Sequence, residues 1–170
     1  PIRVGITSEV TFRLIARLGY PIIINASRVF ALTELAPYIE QYRQAWQEAG
    51  HAARPQVGLR IPLYVAETAG RAYSEPKEST LAAMQGLGER VARSASRPGT
   101  TGNWSAQAER VQHMSYDDWL RDKVVYGTPD TVVPRLQQLR EELGLTQLLY
   151  EINYGRQLPY ELHLRNLRLI

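Results

Sequence analysis

Two short stretches concentrate side chains capable of chemistry. The first is "TSEVT", residues 7–11, which follows a β-branched apolar run beginning at Ile2. Hydroxyls on Thr7, Ser8 and Thr11, next to the unpaired N–H groups of a helix start, make a ready anion site. Ser8 on its own reads more readily as an ordinary helix cap. Glu9 in the same turn would repel an anion if it pointed inward, so it is expected to face outward. The second stretch is "EINYGR", residues 151–156. A carboxylate on a buried strand is costly unless paired or protonated, which marks Glu151 either as a site group or as half of a structural pair with an arginine. Asn153 brings an amide donor and acceptor, and Gly155 allows a ligand close to the backbone. Asn25 and Ser27, at the end of another apolar run, are suited either to ligand hydrogen bonding or to loop capping.

Other chemistries are poorly supplied. Cysteine is absent, so no disulfide, thiolate nucleophile or Cys-zinc site is available. His51, His113 and His163 are scattered, with no carboxylate at ligand spacing, and no metal site is expected. No Ser/His/Asp order or paired-carboxylate motif stands out. The 20 basic and 17 acidic side chains leave a net charge of +3. They are interleaved along the chain, which does not indicate a nucleic-acid partner but suits a small anionic ligand. No apolar run approaches the roughly 18 residues of a membrane span, and no signal-peptide pattern leads the chain, so a cytoplasmic location without a membrane partner is expected.

The elements that must carry these groups alternate between strand and helix. Strands are predicted over residues 2–7, 21–25, 57–66 and 146–153, each as a run buried on both faces. Pro62, inside the third, implies a bulge or irregularity. Ser8 opens a helix carrying Phe12, Ile15 and Leu18 and ending at Gly19. Thr33 caps a longer one with Leu35, Ile39, Tyr42 and Trp46, stopped by Gly50. Residues 67–95 read as helical with a break near 74–76, and 96–105 as a loop. Residues 116–127 bridge to a helix opened by Thr128, Pro129 and Asp130. Its apolar face is Val132, Val133, Leu136, Leu139 and Leu143, and Pro134 should distort its first turn and a half. A last helix covers 159–170, with Leu162, Leu164, Leu167 and Leu169. Four such units with buried strands predict a parallel α/β fold with right-handed crossovers. Two closures remain open, a doubly wound sheet or part of an eight-stranded barrel. The lack of a glycine-rich phosphate loop weighs slightly toward the barrel.

Two stretches carry a family resemblance. "VVYGTPDTVVPRLQQLREELGLTQLLYEINYGRQLPYELHLRNLRLI" resembles the C-terminal signature of the luciferase-like flavin-dependent monooxygenases. That signature has a "GTP" turn opening a helix, then a strand, a glycine-containing loop and a terminal helix. "VGITSEVTFRLIARLGYPIIIN" is similar to the family's middle strand with its hydroxyl-bearing loop and following helix, whereas residues 70–114 match only loosely. The resemblance implies a parallel (β/α)8 TIM-barrel type fold, of which residues 1–170 would form a single domain, roughly the C-terminal half, with about four β/α units. It also implies reduced FMN, usually delivered by a separate flavin reductase, reacting with O2 to oxidise a small-molecule organic substrate. Some members use a deazaflavin instead. By position, Thr7, Ser8 and Thr11 would hold the flavin phosphate, Asn25 and Asn153 would line the ring, and Gly155 would admit it. Light-emitting members carry an acidic residue where Thr7 stands and a Trp where Ala26 falls, so light emission is not implied. A half-barrel also has open strand edges, which imply a homo-oligomer or a non-catalytic interaction module as the alternative role.

Overall fold

The computed structural model describes residues 2–6, 8–25, 31–95, 109–111 and 113–170, apart from the side chains of 94 and 95. The predicted loop over 96–105, and Thr7, Ala26 and Ser27, therefore lie outside the described residues. Strands are β1 (Val4–Ile6), β2 (Ile22–Asn25), β3 (Val57–Val65), β4 (Val125–Gly127) and β5 (Gln147–Glu151). Helices are α1 (Glu9–Arg17), α2 (Leu35–Glu48), α3 (Ala69–Ser74), α4 (Lys77–Ala95), α5 (Tyr116–Asp122), α6 (Pro129–Leu143) and α7 (Tyr160–Leu169). The chain forms two compact units. The first runs to Ile61 and includes Val133–Tyr150; the second comprises Pro62–Val132 and Glu151–Ile170.

In the first unit β1, β2 and the start of β3 pair in parallel, with Val4 opposite Ile22, Ile6 opposite Ile24, and Ile22 opposite Val57. Ile6, Ile22, Ile24, Val57, Leu59 and Ile61 are fully buried there, as their β-branched run requires. Helix α1 contributes Phe12 and Ala16, and α2 contributes Leu35, Ile39, Tyr42 and Trp46, the helical spacing foreseen. Arg43 Nη2 donates to the carbonyls of Leu143 at 2.6 Å and Gly144 at 3.0 Å, a cation on the orphan carbonyls at the end of α6. Beyond Gly144, in a left-handed conformation at φ 56°, Thr146 donates its N–H to the Val57 carbonyl at 2.9 Å.

Several expectations need correction. Thr33 is no cap; it sits in a 3-10 turn, Leu32–Glu34, in which the Glu34 carboxylate accepts the Ala31 N–H at 3.1 Å. An acid three residues after the turn's start competes successfully for the free N–H. Strand β5 is only partly buried rather than buried on both faces, and β1 exposes Gly5. Val133 is half exposed although it stood in the predicted apolar face of α6, whereas α6 spans Pro134 as its strong start signals predict.

In the second unit the end of β3 pairs in parallel with β4, Leu63 opposite Val125 and Val65 opposite Gly127. Strand β4 was not foreseen, because three residues between two helix caps are too short to show a period. Pro62 makes no visible bulge. The ladder to β2 ends at Arg60 and that to β4 begins at Leu63, so the missing N–H falls between partners. The break between α3 and α4 lies where "SEP" predicts it. Met84, Leu87, Val91, Trp119 and Val124 form one apolar cluster, and Tyr64, Ala66, Ala72 and Leu158 another. Contrary to the leucine pattern, the one fully buried side chain of α7 is Asn166.

Candidate functional site

The groups named above follow the C-terminal ends of strands within each unit taken by itself. In the first unit Ser8 occupies the N-cap position of α1 with extended backbone (φ −149°, ψ 153°), yet its side chain makes no capping hydrogen bond. Instead Ser8 Oγ lies 3.3 Å from Thr11 Oγ1, and the Thr11 hydroxyl donates to the Ser8 carbonyl. Both residues are half-buried. Two hydroxyls thus sit together at a helix start, where the Thr11 N–H also donates to the Ser8 carbonyl, at 3.3 Å. Glu9 is exposed and accepts the Tyr38 hydroxyl at 2.7 Å. Its charge is directed away from this point, as expected. Ile6 pairs with Ile24, which sets Asn25 at the same sheet end; Asn25 is half-buried, opposite Arg60.

The second unit carries the other two residues. Asn153, Tyr154 and Gly155 lie in the turn after β5. Asn153 Oδ1 accepts the Leu158 N–H at 3.4 Å. Gly155 has φ 84°, and a Cβ placed there would lie 1.7 Å from the Ser79 carbonyl oxygen. The close approach that this glycine permits is therefore to the first turn of α4. Glu151 is half-buried, and its charge adds to the burial that pushes the Tyr126 phenol upward. His51 Nε2 sits 3.1 Å from both the Ala16 and Arg17 carbonyls, at the end of α1.

Sequence reasoning missed a charged cluster in the second unit. Glu75 accepts hydrogen bonds from Tyr64 at 2.7 Å, from Arg71 Nε at 2.7 Å, and from Arg165 Nη2. Burial raises the Glu75 carboxyl, but the bonds from Arg71, Tyr64 and Arg165 outweigh it and hold the group below its ordinary range. Burial pushes the Tyr64 phenol up to about 12. Glu67 lies 3.3 Å from Arg71 and 3.5 Å from Arg165. The i, i+4 spacing of Glu67, Arg71 and Glu75 was a signal for part of the cluster, but nothing local announces Tyr64 on a strand or Arg165 on α7. Asn166 was missed as well. Its Oδ1 accepts the Val65 N–H at 2.8 Å, and its Nδ2 faces the carbonyls of Leu63 at 3.4 Å and Ile152 at 3.5 Å.

A family model described as luciferase-like monooxygenase matches residues 1–147. No curated protein matches. Among solved structures, the oxygenating constituent of 3,6-diketocamphane monooxygenase from Pseudomonas putida, in complex with FMN, is 19% identical with a TM-score of 0.60 over 98% of this chain and 46% of its own. The monooxygenase RslO1 from Streptomyces bottropensis is 20% identical, TM-score 0.58, over 99% and 45%. The coenzyme F420 dependent tetrahydromethanopterin reductase from Methanopyrus kandleri is 15% identical, TM-score 0.58, over 89% and 45%. The chain spans about half the length of these structures, and its parallel α/β fold corresponds to part of their TIM-barrel type fold.

Proposed function

The chain belongs to the luciferase-like monooxygenase family, and from that premise we propose that it binds a reduced flavin by its phosphate and serves the oxidation of a small organic molecule by O2. The observation that carries this reading is the Ser8–Thr11 pair. A helix-capping serine that leaves its cap bond unmade, 3.3 Å from a second hydroxyl, suits a ligand oxygen better than a purely structural cap. The outward-facing Glu9 removes the main electrostatic objection. Thr7 would complete the phosphate grip.

The residues present fit a flavin in kind. Ser8 would turn its hydroxyl from Thr11 to the phosphate, with Thr11 supporting it through the bond to the Ser8 carbonyl. Asn25, and in the second unit Asn153 and Gly155, are proposed as ring residues on the family resemblance. When bound, reduced flavin supplies the electrons that activate O2; the protein's part is to bind, orient and exclude water. Reduced FMN is the proposed cofactor, with a flavin reductase as its source and a deazaflavin as the alternative. The setting is proposed as cytoplasmic; among the described residues no helix is long and apolar enough to cross a membrane.

The test is a titration of the chain with FMN and with the deazaflavin, followed by flavin fluorescence. Micromolar FMN binding, weakened about tenfold in Ser8→Ala and in Thr11→Ala, supports the reading. Binding that ignores both substitutions refutes the site.

A second reading is favoured by one specific observation. Val10, Leu14 and Leu18 recur every four residues along α1 and are 79%, 52% and 57% exposed. We read this stripe as a contact surface, in support of a homo-oligomer or an interaction module.

A further inference from the structure

The first unit carries a second concentration of polar donors, before its strands rather than after them. Arg3 precedes β1, Arg54 and Gln56 precede β3, and Thr146 and Gln147 lie at the start of β5. These residues line an open cavity of about 530 Å³, within the size range of small-molecule sites. Its only charged groups are the two guanidinium ions; among the described residues no carboxylate lines it. Gln56 Oε1 accepts from Arg3 Nη2 at 3.3 Å, which commits the amide's oxygen and leaves its NH2 as the end to present. Arg54 and Gln147 make no side-chain hydrogen bond or ion pair among the described residues. The walls are fixed from behind. Trp46 Nε1 donates to the Ala53 carbonyl at 2.7 Å, and Pro55 restricts the backbone between Arg54 and Gln56. The Thr146 hydroxyl accepts the Val57 N–H at 3.1 Å and donates to the Val57 carbonyl at 3.2 Å, so it braces the wall and has no proton to spare. The Val4 N–H bonds the Pro21 carbonyl at 2.9 Å, which sets Arg3 at the head of β1.

We propose that this cavity binds a small soluble molecule by a phosphomonoester, held between Arg3 and Arg54 with the Gln56 and Gln147 amides as further donors. Two cations that share a cavity without an acid repel each other and concentrate anions from solution. A dianion placed between them removes the repulsion. A phosphomonoester carries about two negative charges at neutral pH and three strong acceptor oxygens, which matches two guanidinium ions and two amides. Guanidinium forks also bond phosphate oxygens in pairs. The volume beyond the phosphate is room for the organic part of the ligand. The site is independent of the flavin reading: Arg3 precedes β1, whereas Ser8 follows it.

Calorimetric titration of the chain at low salt with glycerol phosphate, inorganic phosphate and succinate tests the site. Glycerol phosphate is expected to bind in the submillimolar range and more tightly than the other two. Arg3→Ala and Arg54→Ala are each expected to weaken it about tenfold, the loss of one charge-assisted contact. Arg54→Lys keeps the charge without the fork and is expected to weaken it about threefold. Because Arg54 is exposed and makes no side-chain bond, Arg54→Ala should leave the melting temperature unchanged, so that a loss of binding there is not a loss of folding. Ser8→Ala should leave glycerol phosphate affinity as it is. Failure of glycerol phosphate to bind overturns the proposal, as does binding that ignores both arginine substitutions. Succinate bound equally well overturns the choice of phosphate, and inorganic phosphate bound equally well overturns the place for an organic part. Cosedimentation with phosphatidic acid vesicles, without binding of glycerol phosphate, overturns the soluble source.

Discussion

Replacing Glu75 by Gln separates charge from shape in the cluster around it. The carboxylate takes bonds from Tyr64, Arg71 and Arg165; its side chain is 15% exposed, Arg165 is 24% exposed and Arg71 is 45% exposed. Because Arg71 is well solvated, its bond is worth only about 0.5 kcal/mol. Gln retains an acceptor for the Tyr64 hydroxyl, so that bond survives. What is lost is the charge-assisted bond to Arg165, whose Nε makes no hydrogen bond and lies 3.5 Å from Glu67. A hydrogen bond to a charged group contributes about 1.5–3 kcal/mol, and partial exposure and the nearby Glu67 place this one at the low end. Glu75→Gln should therefore destabilise by about 2 kcal/mol. Glu75→Ala also strands the buried Tyr64 hydroxyl, adding about 1–2 kcal/mol. The sign of the pH effect follows from the lowered carboxyl. Its contribution is complete above the unfolded value of 4.5 and is lost as pH falls through the lower folded value. Urea unfolding at pH 7 and at pH 4 measures both effects, and the gap between wild type and Glu75→Gln should narrow in acid. A midpoint for Glu75→Gln equal to wild type at pH 7, or a gap that widens in acid, refutes the argument.

Gly155→Ala should cost at least 3 kcal/mol by urea unfolding, because the added Cβ meets the Ser79 carbonyl at 1.7 Å and the backbone is at φ 84°. A loss below about 1 kcal/mol would mean that α4 and the turn are not in contact as described. Val10→Lys with Leu14→Lys should reduce self-association in sedimentation velocity while leaving the melting temperature within a few degrees, since both side chains are already exposed. Association that persists unchanged places the contact elsewhere.

The parallel fold was legible because its strands announce themselves. "PIIIN" and "VGLRIPLYV" are apolar apart from Asn25 and Arg60, and strands covered on both faces read that way. Helix α2 was legible from Leu35, Ile39, Tyr42 and Trp46, although its start was misplaced by a glutamate acting in place of a threonine. Strand β4 was hidden by its length, and β5 looked more buried than it is because its apolar residues also face outward. In the site, the hydroxyls of Ser8 and Thr11 could be paired from sequence because a helix turn sets their separation. The bonds of Ser79 to Tyr154, Arg165 to Glu75 and Asn166 to Leu63 could not, since contacts across 75 to 103 positions depend on packing that no local pattern records.

Helix α7 raises a problem of choice that its leucines cannot solve. Leu162 and Leu169 lie on one side with Asn166 between them, while Tyr160, Leu164 and Leu167 form a second apolar side at the same helical spacing. By hydrophobicity alone the helix is nearly indifferent to a half-turn about its axis, and the second side is the richer in carbon. It is nonetheless the outward one, with Tyr160 71% and Leu167 46% exposed. Rolling the helix over would leave the Val65 N–H without its Asn166 partner, at a cost of about 1–3 kcal/mol for an unpaired buried group. A single amide thus decides between two orientations that greasy surface would leave degenerate. Asn166→Leu is accordingly a substitution whose harm would show first as a mixed population of helix orientations and only second as a lower melting point.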